Sequence, residues 1–169
     1  MRQRLVVGNW KMHGSLPENQ ALLEPVVAAA AGLSSATCAV CVPYPYLAQA
    51  QAALAGSKVA WGAQNVSQHP KGAFTGEVSV AMLADFGCHY VLVGHSERRQ
   101  YFGEDDAVVA AKARAVQAGG MVPILCVGET LAEREAGVTE AVVGRQLAAM
   151  ADVLGGEGTG AAVVAYEPV

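Results

Sequence analysis

Three short segments carry side chains that could do chemistry together: Gly8-Asn9-Trp10-Lys11-Met12, Gly94-His95-Ser96-Glu97-Arg98-Arg99 and Ala165-Tyr166-Glu167-Pro168-Val169. Each follows a short Val-rich apolar run. Lys11 brings a positive charge, and Asn9 brings an amide suited to a carbonyl or an anion. Ser96 has the chemistry of an N-cap, which would set His95 against the positive end of a short helix. That field disfavours the imidazolium and leaves a neutral ring able to donate a hydrogen bond. Glu167 closes an apolar run and is restricted by Pro168, so a half-buried carboxylate there can act as a general base. Taken singly, each has an ordinary explanation: a surface lysine in a turn, a satisfied loop histidine, a solvated glutamate ending a strand. Taken together, a Lys, a neutral His and a Glu suit proton abstraction beside a carbonyl, with Lys and His stabilising the enediolate.

The elements that must position them are legible as alternating patterns. Strands are expected at Leu5–Val7, Cys38–Val42, Val59–Gly62, Tyr90–Val93, Val122–Val127 and Ala162–Tyr166. All are near-continuous apolar runs, the pattern of strands buried on both faces of a parallel sheet. Helices are expected at Pro17–Ala31, Tyr46–Leu54, Val80–Phe86, Asp106–Ala118 and Leu131–Leu154. Thr130 and Glu133 have capping-box spacing, and Asp105-Asp106 opens a run that closes at Gly119. Lys112 and Arg114 fall where a helix dipole favours cations. Pro25, inside the first helix, should kink it or end a turn. Strand–helix alternation makes an α/β protein with a parallel sheet, either doubly wound or a (β/α)8 barrel of which about six units are present. In both architectures ligands bind beyond the C-terminal ends of the strands, where Asn9, Lys11, His95 and Glu167 fall.

Composition narrows the partners. The chain has 169 residues, 53% hydrophobic and 15% charged, with a formal net charge of -4, which disfavours nucleic acid or an anionic membrane as the main partner. No run has the length and shape of a signal peptide or a membrane span, so a cytoplasmic location is expected. Cys38 and Cys41 form a C-x-x-C, but in a strand such side chains point to opposite faces, so a structural role is expected and no metal site. His13, His69 and His89 read as surface or loop residues. Asp85-Phe86-Gly87 copies a kinase triplet without the accompanying motifs, and no Walker loop or G-x-G-x-x-G supports a nucleotide cofactor.

Six segments in order along the chain resemble triosephosphate isomerase signatures: Gly8–Met12, Gly62-Ala63-Gln64-Asn65, Gly72-Ala73-Phe74-Thr75-Gly76-Glu77, Val93–Arg99, Cys126-Val127-Gly128-Glu129 and Ala165–Val169. The resemblance implies a TIM (β/α)8 barrel that interconverts dihydroxyacetone phosphate and D-glyceraldehyde 3-phosphate without metal or organic cofactor. A Glu base with a neutral His electrophile beneath a closing loop is an established pattern for this family. Glu167 would then move the proton, His95 would polarise the carbonyl, and Lys11 and Asn9 would hold the substrate, with Glu97 in support. Residues 64–77 would form the long third loop that docks into the partner of a homodimer, with Gln64 at its start and Thr75 reaching toward the other active site. His13 stands where many members carry Asn.

A barrel of this kind needs about 250 residues. Residues 1–169 are therefore expected to form a single barrel domain, incomplete at its C-terminal side and lacking strands seven and eight with the phosphate-gripping loops. Without those loops residues 1–169 by themselves are expected not to isomerise triose phosphates at a useful rate; the competing expectation for function is a catalytically inactive fragment acting as an interaction or folding module.

Overall fold

The computed structural model describes residues 4–167; Pro168, expected to restrict Glu167, lies outside them. Six strands, β1 Arg4–Asn9, β2 Ala36–Val42, β3 Val59–Ala63, β4 Tyr90–Val93, β5 Val122–Val127 and β6 Val163–Tyr166, pair in parallel in sequential order. Between them run α1 Leu16–Ala30, α2 Leu47–Leu54, α3 Val80–Asp85, α4 Ser96–Phe102, α5 Asp106–Ala118, α6 Leu131–Glu135 and α7 Thr139–Gly160. This is the β/α order the apolar runs predicted, and it decides for the partial barrel over the doubly wound sheet.

Strand alternation divides the apolar residues into two cores. Val40, Val42, Val91, Val93, Leu125 and Val127 face the helices and pack against Leu23, Leu47, Leu83, Val109, Val116 and Met150. Ala39, Cys41, Tyr90, Leu92, Ile124 and Cys126 form a second cluster with Leu5, Val7, Val163 and Ala165. This second cluster lies on the face away from the helices and is buried without a helical layer over it, as on the inside of a partly wound barrel whose parallel strands run in sequential order. Cys38 joins the outer cluster and Cys41 the inner one, which confirms the structural reading of the C-x-x-C. Gly62 is needed where β3 meets β4, because a Cβ there would collide with the Tyr90 carbonyl.

Four expectations need correction. β1 and β6, the edges of the described sheet, are not buried on both faces: Val6 is 64% exposed and Val164 48%. The helix expected over Leu131–Leu154 is two, because Gly137 takes a left-handed φ of 71° and closes α6 before α7 starts. α7 in turn leaves helical geometry at Gly155. Pro25 does not end α1, which runs through it to Ala30; the carbonyl it deprives of a partner belongs to Ala21, which is exposed to water. Lys112 does not serve the helix dipole. It is buried and pairs with Glu104 at 2.6 Å.

The caps behave as read. Asp105 accepts from Val108 N at 2.8 Å, and Thr130 with Glu133 makes the full capping box. These caps set where α5 and α6 begin relative to the strand ends that carry the site.

Candidate active site

The mouth of the curled sheet gathers the predicted residues. Inward-facing positions on β1 and β6 follow a period of two, so Asn9 continues Leu5 and Val7, and Glu167 continues Val163 and Ala165. Glu167 N donates to Val127 O at 2.8 Å, which extends the β5–β6 ladder by one bond and brings the carboxylate over the inner core. From there Glu167 Oε1 lies 2.7 Å from His95 Nε2, and Oε2 accepts from Ser96 N at 3.1 Å.

His95 is itself the N-cap of α4, a place the sequence assigned to Ser96. Its Nδ1 accepts from Glu97 N at 3.3 Å, so the ring proton sits on Nε2, facing Glu167. The imidazole outcompetes the Ser hydroxyl because Gly94, at φ 71°, turns the chain so that residue 95 occupies the flanking position. Burial of His95 to 7% exposure holds that orientation.

Lys11 carries a backbone strain. Its φ of 51° is the one positive value among described non-glycine residues, a conformation that costs on the order of 1–3 kcal/mol and persists only where its surroundings impose it. Here Lys11 N donates to Asn9 Oδ1 at 2.9 Å, and Gln64 Nε2 donates to Lys11 O at 2.9 Å. Gln64 Nε2 also reaches Asn9 Oδ1 and Cys41 O, each at 3.1 Å. The turn thrusts the Lys11 ammonium over the mouth, where it meets Glu97 Oε1 at 2.7 Å, while Glu97 Oε2 stands 3.4 Å from His95 Nδ1. Glu97 links the two through different atoms, its carboxylate accepting from Lys11 and its backbone N–H donating to His95 Nδ1.

Two cavities flank this constellation. One of about 270 Å³ is lined by Asn9, Lys11, Gln64, His95 and Glu97. The other, about 780 Å³, is lined by Ser96, Arg99, Gly128, Glu129 and Glu167. The His95–Glu167 hydrogen bond stands between them.

The comparisons with known proteins agree with each other. The family model described as triosephosphate isomerase matches residues 4–169. A triosephosphate isomerase of Thiobacillus denitrificans is 66% identical over 169 residues, covering 100% of this chain and 67% of the relative. That of Cupriavidus taiwanensis is 66% identical with 100% and 68% covered, and that of Nitrosomonas europaea 60% identical with 99% and 67% covered. The chain belongs to the triosephosphate isomerase family. It spans about two-thirds of the length of these relatives.

Within this family member, the electrostatics of the carboxylate are decided by competition. Burial pushes Glu167 upward, but the His95 hydrogen bond, the Ser96 N–H and the Lys11 charge outweigh it, and the group titrates below its ordinary value. Lys11 is held above its ordinary value, first by its hydrogen bond to Glu97 and then by that carboxylate's charge. Both are therefore ionised at neutral pH.

Sequence reasoning missed several supports. Gln64 was expected to open an interface loop; it turns inward beneath Lys11 and Asn9. Thr75 does lie on a stretch, 69–77, exposed throughout. Glu129, 1% exposed, accepts from the Tyr166 hydroxyl, Thr139 Oγ1 and Arg134 Nη1, fastening the residue before Glu167 to the end of β5. Lys112 Nζ donates to Glu104 and to Asn65 Oδ1 at 2.8 Å, and Arg98 Nε donates to Glu104, tying α4, α5 and the loop after β3 together. A polar residue within two positions of the end of an apolar strand was the available signal for Gln64, Asn65 and Glu129. Among the described residues no three His, Cys, Asp or Glu converge as metal ligands, and no helix is long and apolar enough to cross a membrane.

Proposed function

We propose that the chain carries the proton-transfer face of an isomerase that interconverts dihydroxyacetone phosphate and D-glyceraldehyde 3-phosphate. The supporting observation is the 2.7 Å contact between His95 Nε2 and Glu167 Oε1 at a mouth that Lys11 also overhangs. A substrate entering between the two takes over the Nε2–H that Glu167 holds in its absence. The ionised Glu167 removes a proton from the carbon beside the carbonyl, and the C–H electrons pass to the carbonyl oxygen, giving an enediolate. His95 donates to the oxygens, Lys11 balances their charge and the phosphate's, and Asn9, fixed by Gln64, orients them. Return of the proton from Glu167 to the neighbouring carbon completes the exchange. Glu97 keeps Lys11 and His95 in place. No metal or organic cofactor is needed in this scheme.

The exposed stretch 69–77, in which Phe74 stacks on His69 with ring centroids 4.1 Å apart, supports its use as a homodimer contact with Thr75 at its tip. We read residues 1–169 as part of one barrel domain, acting in the cytoplasm on a small diffusible triose phosphate. A second reading, an inactive interaction or folding module, is favoured by the outward-facing, exposed Val6, Val164 and Tyr166 on the edge strands.

A coupled assay of the purified chain beside Glu167→Gln separates the two. Isomerisation that falls on the order of 10²–10⁴-fold in the variant supports the enzyme. Turnover no higher than that of the variant, in protein whose circular dichroism shows it folded, leaves the module.

A further inference from the structure

Backbone hydrogen bonds at the end of β5 are left incomplete by the sheet. The β4–β5 register ends at Val93↔Leu125 and the β5–β6 register at Val127↔Tyr166, with one more bond from Glu167 N to Val127 O. Gly128 comes next and has no strand to pair with. Its two polar groups are nonetheless satisfied by one side chain: Gly128 N donates to Gln146 Oε1 at 2.9 Å, and Gln146 Nε2 donates to Gly128 O at 3.0 Å. The Gln146 amide, 4% exposed on α7, thereby stands in for a missing strand.

What rests on Gly128 is the backbone of Glu167. A Cβ built at Gly128 would collide with the Glu167 carbonyl oxygen, so the two chains are in direct van der Waals contact. β6 pairs with β5 alone among the described strands, so the end of β5 is its sheet support. We propose that Gln146 is a positioning residue for Glu167. It holds Gly128 as a rigid platform from which the carboxylate reaches His95 Nε2 and Ser96 N together. The inference rests on Glu167 being the base; the clamp itself is independent of that reading.

The direct test is nuclear magnetic resonance of the whole chain. A scalar coupling across the hydrogen bond from Gln146 Nε2 to the Gly128 carbonyl is expected, and its absence overturns the proposal without any variant being made. Gln146→Met keeps length and apolar volume but loses both bonds. Its Gly128 amide should then exchange roughly tenfold faster, the scale of one net hydrogen bond. The Glu167 carboxyl should titrate about half a pH unit or more higher, because its contacts loosen while its burial stays. Gln146→Glu sharpens this. Its carboxyl can accept from Gly128 N at any pH but can donate to Gly128 O only when protonated. Gly128 amide protection should therefore persist at pH 8, while the carbon-13 shift of the Gly128 carbonyl, which reads the lost donor, should move at pH 8 and recover on acidification. A Glu167 titration unmoved in Gln146→Met, or a Gly128 carbonyl shift without pH dependence in Gln146→Glu, overturns the positioning role. If instead Glu167 is not the base, turnover survives Glu167→Gln while the couplings and exchange rates stand, so the two readings fail separately.

Discussion

Two Lys–Glu pairs in this molecule share almost the same bond length and have opposite surroundings. Lys112–Glu104 is 2.6 Å long with both side chains about 5% exposed, at 5% and 6%. Lys11–Glu97 is 2.7 Å long with exposures of 51% and 43%. Distance therefore says nothing about role here. The buried pair is closed: Glu104 also takes Arg98, Lys112 also reaches Asn65, and only Glu104 Oε2 among the pair's atoms lacks a partner. It locks α4 and α5 to the loop after β3 and offers nothing to a ligand. The exposed pair is open. Its lysine sits on a strained backbone at the mouth of the sheet, and water screens the attraction, so an arriving anion can share the ammonium at little cost. The same two residue types are structural where desolvated and available where solvated.

Breaking the buried pair should have the largest effect. Lys112→Met leaves Glu104 buried beside only Arg98, and we expect a loss of about 3–5 kcal/mol of stability, read from urea unfolding. A loss as small as that of a surface pair would mean that water enters the site freely. Arg99 lies between the extremes: it reaches Asp106 at 2.6 Å with exposures of 18% and 20%, and Asp106 is shared with Arg145. Arg99→Met should cost about 1–2 kcal/mol in the same measurement, midway between the buried and surface cases.

Acid should act through the carboxylates. Burial pushes Asp106 up but Arg99 and Arg145 pull it below its ordinary 3.8, and Glu167 lies below its ordinary 4.5. A group depressed in the folded chain adds stability that is complete above its ordinary value and is lost as pH falls through the folded value. The urea midpoint should thus stay level from about pH 8 to 5 and fall progressively below about 4.5. A midpoint that fell already between pH 7 and 5 would point to other groups. Smallest should be the stability effect of Lys11→Met, because its ion pair with Glu97 is solvated and screened. In that variant, the binding of a phosphorylated triose, followed by calorimetry, should weaken far more than stability does. Equal losses in both would remove the distinction between the two pairs.

Much of this molecule could be read from neighbouring residues. Strand and helix order follows from apolar runs and periodicity, the starts of α5 and α6 from Asp105 and Thr130, and the opposite faces of Cys38 and Cys41 from alternation. Asn9, Lys11, His95 and Glu167 were visible because each is a polar residue set just after an apolar strand, and a parallel sheet sends all such ends to one side. These signals are local, carried by residues a few positions apart. What tertiary structure decided depends on groups far apart in the chain. Lys112 became a buried partner of Glu104 and Asn65 rather than a dipole charge; Gln64 became a brace for Asn9; His95 displaced Ser96 as the cap; Gln146 took over the unpaired amide of Gly128. In each case a buried polar group must find a partner once water is gone, and periodicity is silent about which partner the packing brings within reach. The exposure of Val6 and Val164 was decided in the same way, by what does and does not pack on the outer face of the sheet, which no strand pattern records.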